Sequence, residues 1–510
     1  MTEQVLLKKS SKQKFIYLGI LLITFLVAYS YTFDDKVAML GDNASYYMLG
    51  KALSHGEGYV NITRKEATPN NHYPPGYPAI ISVLMLVSDS FTFIKVFNGV
   101  LLLFGLWLLF EFLGRLTENY AFSFVVTLLA TLNAHLLFYG SIMMSEVPFF
   151  CISLLSFYSF TKIDLEKFSL KSPHLIISIL AMIFAYYIRS LGVAILGAYI
   201  LFLLIGRHWK YLITYFAAFV VGFLPWFIRG QSLGGGSYTK QLTMINPYQP
   251  ALGRAGFGDF VDRFFTNFSR YITLEIPSSV FPVRTPDYQA EATGGLWFFG
   301  IVMIGLIIYG VWSLPKYRWL IAGYLLGNFA ILMLWPDVWI GVRFIVPIIP
   351  ILILCVVNAL FSLYSLVAKG VKKQASPQPL YLAILVLFCF SPINKIHDDA
   401  KATISPAWKN YFAAADWIKK NSKEKVTVAC GKPMLFYLYS DSYTLRYKFE
   451  QNPEALIKDL EEREVDYVVI DQVYGNTFRY LLPAVRKHPE RFQQAHRLQY
   501  PDTYVLKFKR

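Results

Sequence analysis

Charged residues are scarce in this chain of 510 residues: only 16% are Asp, Glu, Lys or Arg, whereas 55% are hydrophobic. A soluble globular chain carries about a quarter charged residues, so the scarcity argues against a soluble protein. The apolar residues gather into repeated stretches of roughly 16 to 23 residues, the length that a helix needs to cross hydrocarbon. The sequence therefore predicts an α-helical polytopic membrane protein.

Several familiar site motifs are also missing from the sequence. The four cysteines lie far apart, which excludes a disulfide framework and a cysteine-based metal motif. The sequence has no P-loop, no dinucleotide-binding glycine motif and no Asp-x-Asp pair for a nucleotide-sugar diphosphate. It also lacks the internal repeat from which many transporters are built. No motif fixes a cofactor, and assistance by a divalent metal stays open.

The basic residues set the predicted orientation. The net charge is +15, but the basic residues are dispersed among short loops, which is typical of cytoplasmic anchors rather than of nucleic-acid binding. Lys12 and Lys14 precede the first apolar run and place the N-terminus in the cytoplasm. Further basic connectors follow at Arg115, 162–171, 207–210, 316–318 and 369–373. Taking each as cytoplasmic gives about eleven transmembrane helices. Residues 174–206 could form one long helix or two short ones, and the basic flanks on both sides favour two short helices joined by a tight hairpin at 189–192.

This topology places four regions outside the cytoplasm: 32–91, about 228–295, 335–343 and the chain after 393. We expect a transmembrane domain at 1–395 and a soluble domain at 396–510, because the composition changes there to charged and mixed. Strand-like runs at 426–429, 467–470 and 504–507 alternate with helical stretches at 408–420 and 453–462. That alternation predicts a small extracytoplasmic α/β domain.

The first outer loop carries the first candidate site residues. Asp42 opens an amphipathic stretch, where it could be a helix cap or a general base, since both roles use the carboxylate lone pairs. His72 and Tyr73 lie in a turn-rich segment, Asn-His-Tyr-Pro-Pro-Gly-Tyr-Pro, at 71–78. They could contact a sugar or its carrier, or they could simply support the turn.

Other candidates lie at predicted outer membrane boundaries. Glu146 begins an apolar run, where a negative charge also suits a helix N-terminus. Arg189, Arg229 and Arg343 fall on the outer side, where the sorting rule disfavours positive charge. The planar fork of an arginine matches phosphate oxygens, so these arginines are candidate ligands of a lipid phosphate. The alternatives are snorkelling to the interface and ion pairs with neighbouring helices.

The order of these segments resembles the GT-C class of integral membrane glycosyltransferases, in the branch of protein mannosyltransferases and aminoarabinose transferases. The resemblance covers roughly residues 1–395 in layout. The segments that carry it are Asp42 after the first span, the turn at 71–78, Met-Ser-Glu-Val-Pro-Phe at 144–149, Pro-Trp-Phe-Ile-Arg at 225–229, and Arg-Phe-Ile-Val-Pro-Ile-Ile-Pro at 343–350. Many members have an Asp-Glu pair in the first motif. Here Asn43 follows Asp42, so Asp42 would act alone or with Glu146.

The resemblance implies transfer of a sugar from a polyprenyl-phosphate carrier to a lipid, glycan or protein acceptor, with inversion, at a bacterial inner membrane. In that reading Asp42 is the general base, and the outer arginines stabilise the departing phosphate. Two other interpretations stay open. One is a transporter or flippase of lipid-linked sugars, and the other is a non-catalytic subunit that binds a partner through its outer domain.

Overall fold

A computed structural model of the chain describes residues 3–39, 41–249, 252–282, 286–370 and 379–510. These residues form two compact units, named here the helical unit and the sheet unit. The helical unit contains Met1–Lys36, Asn71–Tyr77 and Phe91–Ala400, and the sheet unit contains Val37–Asn70, Pro78–Ser90 and Lys401–Arg510.

Most of the regular structure is helical. The α-helices are, in chain order, α1 (Glu3–Thr32), α2 (Gly41–Ser54), α3 (Gly76–Met85), α4 (Phe91–Thr117), α5 (Tyr120–Thr131), α6 (Ala134–Gly140), α7 (Glu146–Phe160), α8 (Pro173–Ile188), α9 (Val193–Ile205), α10 (Trp209–Ser232), α11 (Ser237–Leu242), α12 (Phe257–Arg270), α13 (Ile276–Val280), α14 (Gly294–Trp312), α15 (Arg318–Leu334), α16 (Ile349–Gly370), α17 (Phe390–Lys401), α18 (Pro406–Asn421), α19 (Pro433–Ser440), α20 (Pro453–Glu462) and α21 (Leu482–Lys487). The strands are β1 (Val60–Asn61), β2 (Thr68–Pro69), β3 (Thr427–Ala429), β4 (Tyr443–Leu445), β5 (Tyr467–Ile470), β6 (Phe492–Leu498) and β7 (Thr503–Phe508).

Six helical segments among the described residues are long and apolar enough to cross a membrane, or seven if the bent pair α5 and α6 forms one span. Five further apolar helices have only 10 to 17 residues. Since a straight span needs about 20 residues, length alone does not decide these five, and the count of eleven spans stays a prediction. Residues 371–378, which include most of the predicted cytoplasmic connector at 369–373, lie outside the described residues. The same holds for residues 250–251 and 283–285 of the predicted outer region at 228–295.

Close helix packing in the helical unit depends on small residues at specific contacts. Helix α7 packs between α4 and α8, α9 packs on α15, and α14 packs on α16. At Gly310 of α14, a Cβ atom would come within 1.8 Å of the carbonyl oxygen of Cys355. Only glycine therefore lets α14 and α16 approach this closely, as is typical of membrane helix pairs.

The chain breaks where the sequence predicts a turn between two short helices. Helix α8 ends before Arg189, whose backbone is extended, and a 3-10 turn at Ser190–Gly192 leads into α9. A Cβ atom at Gly192 would lie 2.5 Å from the backbone nitrogen of Tyr186, so the turn folds directly back on the end of α8. The break therefore places Arg189 at the end of α8 rather than within a helix.

The sheet unit contains a five-stranded sheet in the order β4-β3-β5-β7-β6. Strands β3, β4 and β5 are parallel, and β7 pairs antiparallel with both β5 and β6. The predicted strands at 426–429, 467–470 and 504–507 are confirmed as β3, β5 and β7, and the predicted helices as α18 and α20. The sequence did not predict β4 or β6.

The core of the sheet unit packs α20 and α21 against the sheet through fully buried aliphatic side chains, including Leu456, Leu460, Val468 and Ala484. Helices α18 and α19 pack together, and Tyr411 of α18 lies 5.1 Å from Phe436 of α19 between ring centroids. Apolar residues spaced along these short helices explain why they form, since burial of an apolar stripe stabilises helices this short.

Two segments of the predicted first outer loop belong to the sheet unit. Helix α2 packs against α19, and the backbone nitrogen of Thr444 donates a 2.7 Å hydrogen bond to the carbonyl oxygen of Thr63. Thr444 lies on β4, an edge strand, so the loop satisfies a backbone donor that the sheet leaves unpaired.

Candidate functional site

Three of the predicted site residues meet in the helical unit around one buried carboxylate. Glu146 Oε1 lies 2.7 Å from a terminal guanidinium nitrogen of Arg189 and 3.5 Å from Nε of Arg343. The Glu146 side chain is fully buried, the Arg189 side chain is 10% exposed, and that of Arg343 is 27% exposed. We name these three residues the Glu146 cluster. Its arginines form the ion pairs that the sequence offered as one alternative, and Arg343 retains the larger accessible surface.

Local structure explains how three distant residues reach one point. Glu146 begins α7, where the free backbone N–H groups favour a negative charge. Arg189 sits in the break between α8 and α9 and also donates a 3.0 Å hydrogen bond to Oγ of Ser145. Arg343 lies in a 3-10 turn at Val342–Phe344, entered through Gly341, whose φ of 124° favours glycine.

A row of aromatic rings connects the turn at 71–78 with the neighbourhood of Arg343. His72 lies 4.4 Å from Tyr73 and 5.3 Å from Tyr238 between ring centroids. The row continues through the ring pairs Tyr238–Trp339 at 6.4 Å, Trp339–Trp335 at 5.4 Å and Trp335–Phe344 at 4.9 Å. Since Phe344 follows Arg343 in the chain, the structure brings His72 and Tyr73 into one aromatic surface that ends beside the Glu146 cluster.

Arg229 occupies a different position from the other two arginines. Its guanidinium lies 5.1 Å from the ring of Trp226, near the end of α10. The next residue, Gly230, and Gly235 both accept hydrogen bonds from the side chain of Asn71, at 3.5 and 2.8 Å. Arg229 is therefore near the turn that carries His72.

A second buried ion pair was missed by the sequence interpretation. Arg270 Nε lies 2.8 Å from Oε1 of the fully buried Glu275. The same guanidinium donates a 2.7 Å hydrogen bond to the carbonyl oxygen of Asp337 and another of 2.8 Å to Oδ1 of Asn267. The two partners are five residues apart and are joined by a π-helical turn at Tyr271–Glu275. A helix pattern based on three- and four-residue spacings does not detect such a pair.

Two tyrosines connect the ion pairs. Tyr139 lies within electrostatic range of Glu146 and of Tyr288, and Tyr288 lies within range of Glu275 and Arg270. The helical unit thus holds two buried carboxylates and three arginines in one neighbourhood. Such an arrangement can bind an anion and stabilise charge that develops during a reaction.

Asp42 belongs to the sheet unit. It lies half-buried in the first turn of α2, where a carboxylate is stabilised by the helix N-terminus. The following residues of α2 are buried, from Asn43 to Gly50, so the helix holds Asp42 in a fixed place. Lys432 of the same unit lies within electrostatic range of the Asp42 carboxylate. No group of three or more His, Cys, Asp or Glu that could hold a metal ion occurs in the described part of the chain.

No protein-family model matches the sequence, and no curated protein sequence matches it. Several solved structures are similar to the structure of this chain. ArnT from Cupriavidus metallidurans bound to undecaprenyl phosphate is similar with a TM-score of 0.59 and 10% sequence identity, over 96% of this chain and 97% of ArnT. The oligosaccharyltransferase of Archaeoglobus fulgidus is similar with a TM-score of 0.58 and 10% identity, over 89% of this chain and 69% of that protein. The same enzyme tethered to an acceptor peptide with the NVT sequon gives a TM-score of 0.57 and 11% identity, over 98% of this chain and 75% of that protein. The chain has a GT-C-like fold.

Proposed function

We propose that the chain is a membrane glycosyltransferase that takes a sugar from a polyprenyl-phosphate carrier and transfers it to an acceptor on the extracytoplasmic face. The acceptor is a lipid, a glycan or a protein. The observation that carries this proposal is the Arg343 guanidinium, which is accessible at the end of an aromatic row and is fixed beside buried Glu146. The solved ArnT structure with undecaprenyl phosphate supports the choice of donor, since the two proteins share a fold.

The proposed reaction is a direct displacement that inverts the anomeric centre. The acceptor hydroxyl oxygen forms a bond to the anomeric carbon as the bond from that carbon to the carrier phosphate breaks. The electron pair of the broken bond leaves with the phosphate, and the hydroxyl proton passes to the Asp42 carboxylate. A general base of this kind contributes about 10²–10⁴-fold to the rate.

Each side chain has a separate role in this proposal. Arg343 and Arg189 stabilise the negative charge that grows on the departing phosphate, because guanidinium groups bind phosphate oxygens in a bidentate geometry. Glu146 holds the two guanidiniums in place rather than reacting itself. His72 and Tyr73 offer ring surface for the sugar or the prenyl chain. Arg229 would contact the carrier phosphate near the turn at 71–78.

The test uses the full chain, purified into lipid, with a panel of polyprenyl-phosphate sugars and candidate acceptors. We expect release of the carrier phosphate by the wild type and a loss of about 10²-fold or more in Asp42→Asn, with donor binding retained. Asp89→Asn, which changes an exposed carboxylate of the same unit, should be unaffected. Equal rates in Asp42→Asn and the wild type would remove Asp42 as the base.

A parallel variant tests the phosphate role of the helical unit. Arg343→Gln should slow release by about 10²-fold, the effect of losing one charge-stabilising donor. Arg318→Gln is the matched control. Arg343 lies 5.3 Å from the ring of Phe344, and Arg318 likewise lies 5.2 and 5.8 Å from the rings of Trp312 and Trp319, but Arg318 is exposed at the start of α15. If no donor in the panel loses its sugar while the protein stays folded, the glycosyltransferase proposal fails in favour of a transporter or a partner-binding subunit.

A further inference from the structure

One edge of the five-stranded sheet gathers charged side chains that the proposed reaction does not use. Three loops leave this edge after parallel strands: Gly431 and Lys432 follow β3, Arg446 follows β4, and Asp471 to Tyr474 follow β5. Within the sheet, β4 and β5 lie on opposite sides of β3, so the chain runs from β3 to one side and then crosses to the other. The crevice at the carboxyl ends of β3 and β5 is therefore a topological switch point, where open α/β sheets bind their ligands.

Two cations at this edge share one aromatic ring. Lys432 Nζ lies 4.8 Å and Arg446 Cζ lies 5.7 Å from the ring centroid of Tyr474. Lys432 is half-buried and Arg446 is exposed, so a ligand from solution can reach both. The arrangement presents two cations on one solvent-facing aromatic platform.

The Tyr474 ring is held in place from several directions. The buried carboxylate of Asp471 accepts 3.0 Å hydrogen bonds from the backbone nitrogens of Val473 and Tyr474. The side-chain amide of Asn476 donates a 3.0 Å hydrogen bond to the Tyr474 hydroxyl. A Cβ atom at Gly431 would lie 2.9 Å from Cβ of Tyr474, so the loops after β3 and β5 are in direct contact. This platform is preorganised, which lowers the entropy lost when a ligand binds.

The charge balance at the platform favours an anion. None of the ion pairs found in the described part of the sheet unit includes Lys432 or Arg446. Burial, and then the charge of Arg446, lowers the pKa of Lys432, whereas Asp42 and Asp471 act in the opposite direction. Two like charges on one ring repel each other, and an oxyanion between them would convert that repulsion into two charge-assisted hydrogen bonds.

We propose that Lys432 and Arg446 bind an oxyanion of an acidic acceptor saccharide, either a phosphate ester or a carboxylate. The identification of this ligand as the acceptor rests on the proposed function, in which Asp42 takes the proton of the acceptor hydroxyl. Asp42 belongs to the same unit and interacts electrostatically with Lys432, so an anion bound at Lys432 lies in the neighbourhood of that base. The acceptor is then a saccharide with an acidic substituent near the hydroxyl that receives the sugar.

The test measures equilibrium binding of glucose 6-phosphate, glucuronate and neutral glucose to the full chain in phosphatidylcholine nanodiscs. We expect at least one acidic probe to bind more tightly than glucose. Lys432→Gln and Arg446→Gln should each weaken that binding by about tenfold or more, the effect of one charge-assisted hydrogen bond. Lys432→Arg should retain binding, and Lys448→Gln, an exposed lysine two residues from Arg446, is the matched control.

The outcomes separate the possible ligands and separate this proposal from the glycosyltransferase proposal. A preference for glucose 6-phosphate assigns a phosphate ester, and a preference for glucuronate assigns a carboxylate. Equal binding of both acids by the wild type, Lys432→Gln and Lys448→Gln overturns the site. No binding of either acid, together with Lys432-dependent enrichment of phosphatidylglycerol around the protein in mixed phosphatidylcholine–phosphatidylglycerol nanodiscs, overturns the saccharide in favour of a lipid headgroup. Lys432-dependent binding without any consumption of donor leaves the anion site standing while the glycosyltransferase proposal fails.

Discussion

Replacing Arg189 by Gln would remove the 2.7 Å contact to the fully buried Glu146 carboxylate and keep the longer 3.5 Å contact to Arg343. Removal of one partner from a buried ion pair costs about 3–5 kcal/mol, because the other charge stays buried without compensation. Arg343 still neutralises part of the charge, so we expect a loss near the lower end, about 3 kcal/mol of unfolding free energy. Arg343→Gln keeps the shorter pair and removes a group that is partly exposed, so we expect a smaller loss of about 1 kcal/mol.

The double variant Glu146→Gln/Arg189→Gln distinguishes a charge effect from a packing effect. It removes the Glu146 carboxylate together with the Arg189 cation that neutralises it. Its loss of unfolding free energy should therefore be smaller than the sum of the losses in the single variants Glu146→Gln and Arg189→Gln. We expect a coupling energy of about 2 kcal/mol, within the range for residues in contact. Unfolding of the four proteins in mixed micelles, titrated with a denaturing detergent, gives the three differences on one scale.

Two results would refute the reasoning. One is an Arg189→Gln variant within about 0.5 kcal/mol of the wild type, as is usual for substitutions at surface positions. The other is strict additivity in the double variant, which would mean that the 2.7 Å contact has no energetic consequence. A third pattern is informative for function: strong loss of carrier release in Arg343→Gln with little loss of stability would separate phosphate binding from folding.

Two more predictions concern packing and pH. Gly310→Ala should lower the free energy of unfolding by about 1–3 kcal/mol, because the added Cβ atom forces α14 and α16 apart. Gly305→Ala on the same helix should leave stability unchanged, because a Cβ atom there has no neighbour within 4 Å. Thermal unfolding of both variants measures the difference. Burial raises the pKa of Asp471 from 3.8 to about 6, so its contribution to stability is present below pH 3.8 and is lost as the pH rises through 6. The wild type should therefore lose about 3 kcal/mol of stability from this group across that interval, and Asp471→Asn should not. Hydrogen exchange in β3 and β5 at several pH values measures it, and equal pH slopes in the two proteins would contradict it.

The sequence could predict the elements that carry strong local signals. Long apolar runs, the break at Arg189 and the strands β3, β5 and β7 all follow from hydropathy and from β-branched residues. The strands β4 and β6 could not be found in this way. Strand β4 is Tyr-Thr-Leu followed directly by Arg446, so it lacks the apolar run that marks β3 and β5, and β6 alternates weakly because most of its side chains face solvent. Their pairing depends on neighbouring strands rather than on their own composition.

The candidate site was predictable as a set of residues but not as a set of contacts. Glu146, Arg189 and Arg343 each stand out in sequence as charges beside apolar runs, yet nothing in their spacing reveals that both arginines meet one carboxylate. Arg270 and Glu275 were missed because a π-helical turn, not a regular helix, brings them together. The proposed role of Asp42 is a prediction that Asp42→Asn tests, and the proposed roles of His72, Tyr73 and Arg229 stay predictions.

The sheet unit is assembled from chain segments that are far apart in order of synthesis. Helix α2 and the strands β1 and β2 emerge early, whereas β3 to β7 lie in the last part of the chain. Thr444, the hydrogen-bond partner of Thr63 on β4, is therefore synthesised only after more than three hundred intervening residues. The early segments therefore cannot complete their packing until β3 to β7 have been made, and a chain that stops before β3 lacks α19, the helix that packs against α2. The region that holds Asp42 is therefore complete only once the late strands of the sheet unit have been synthesised.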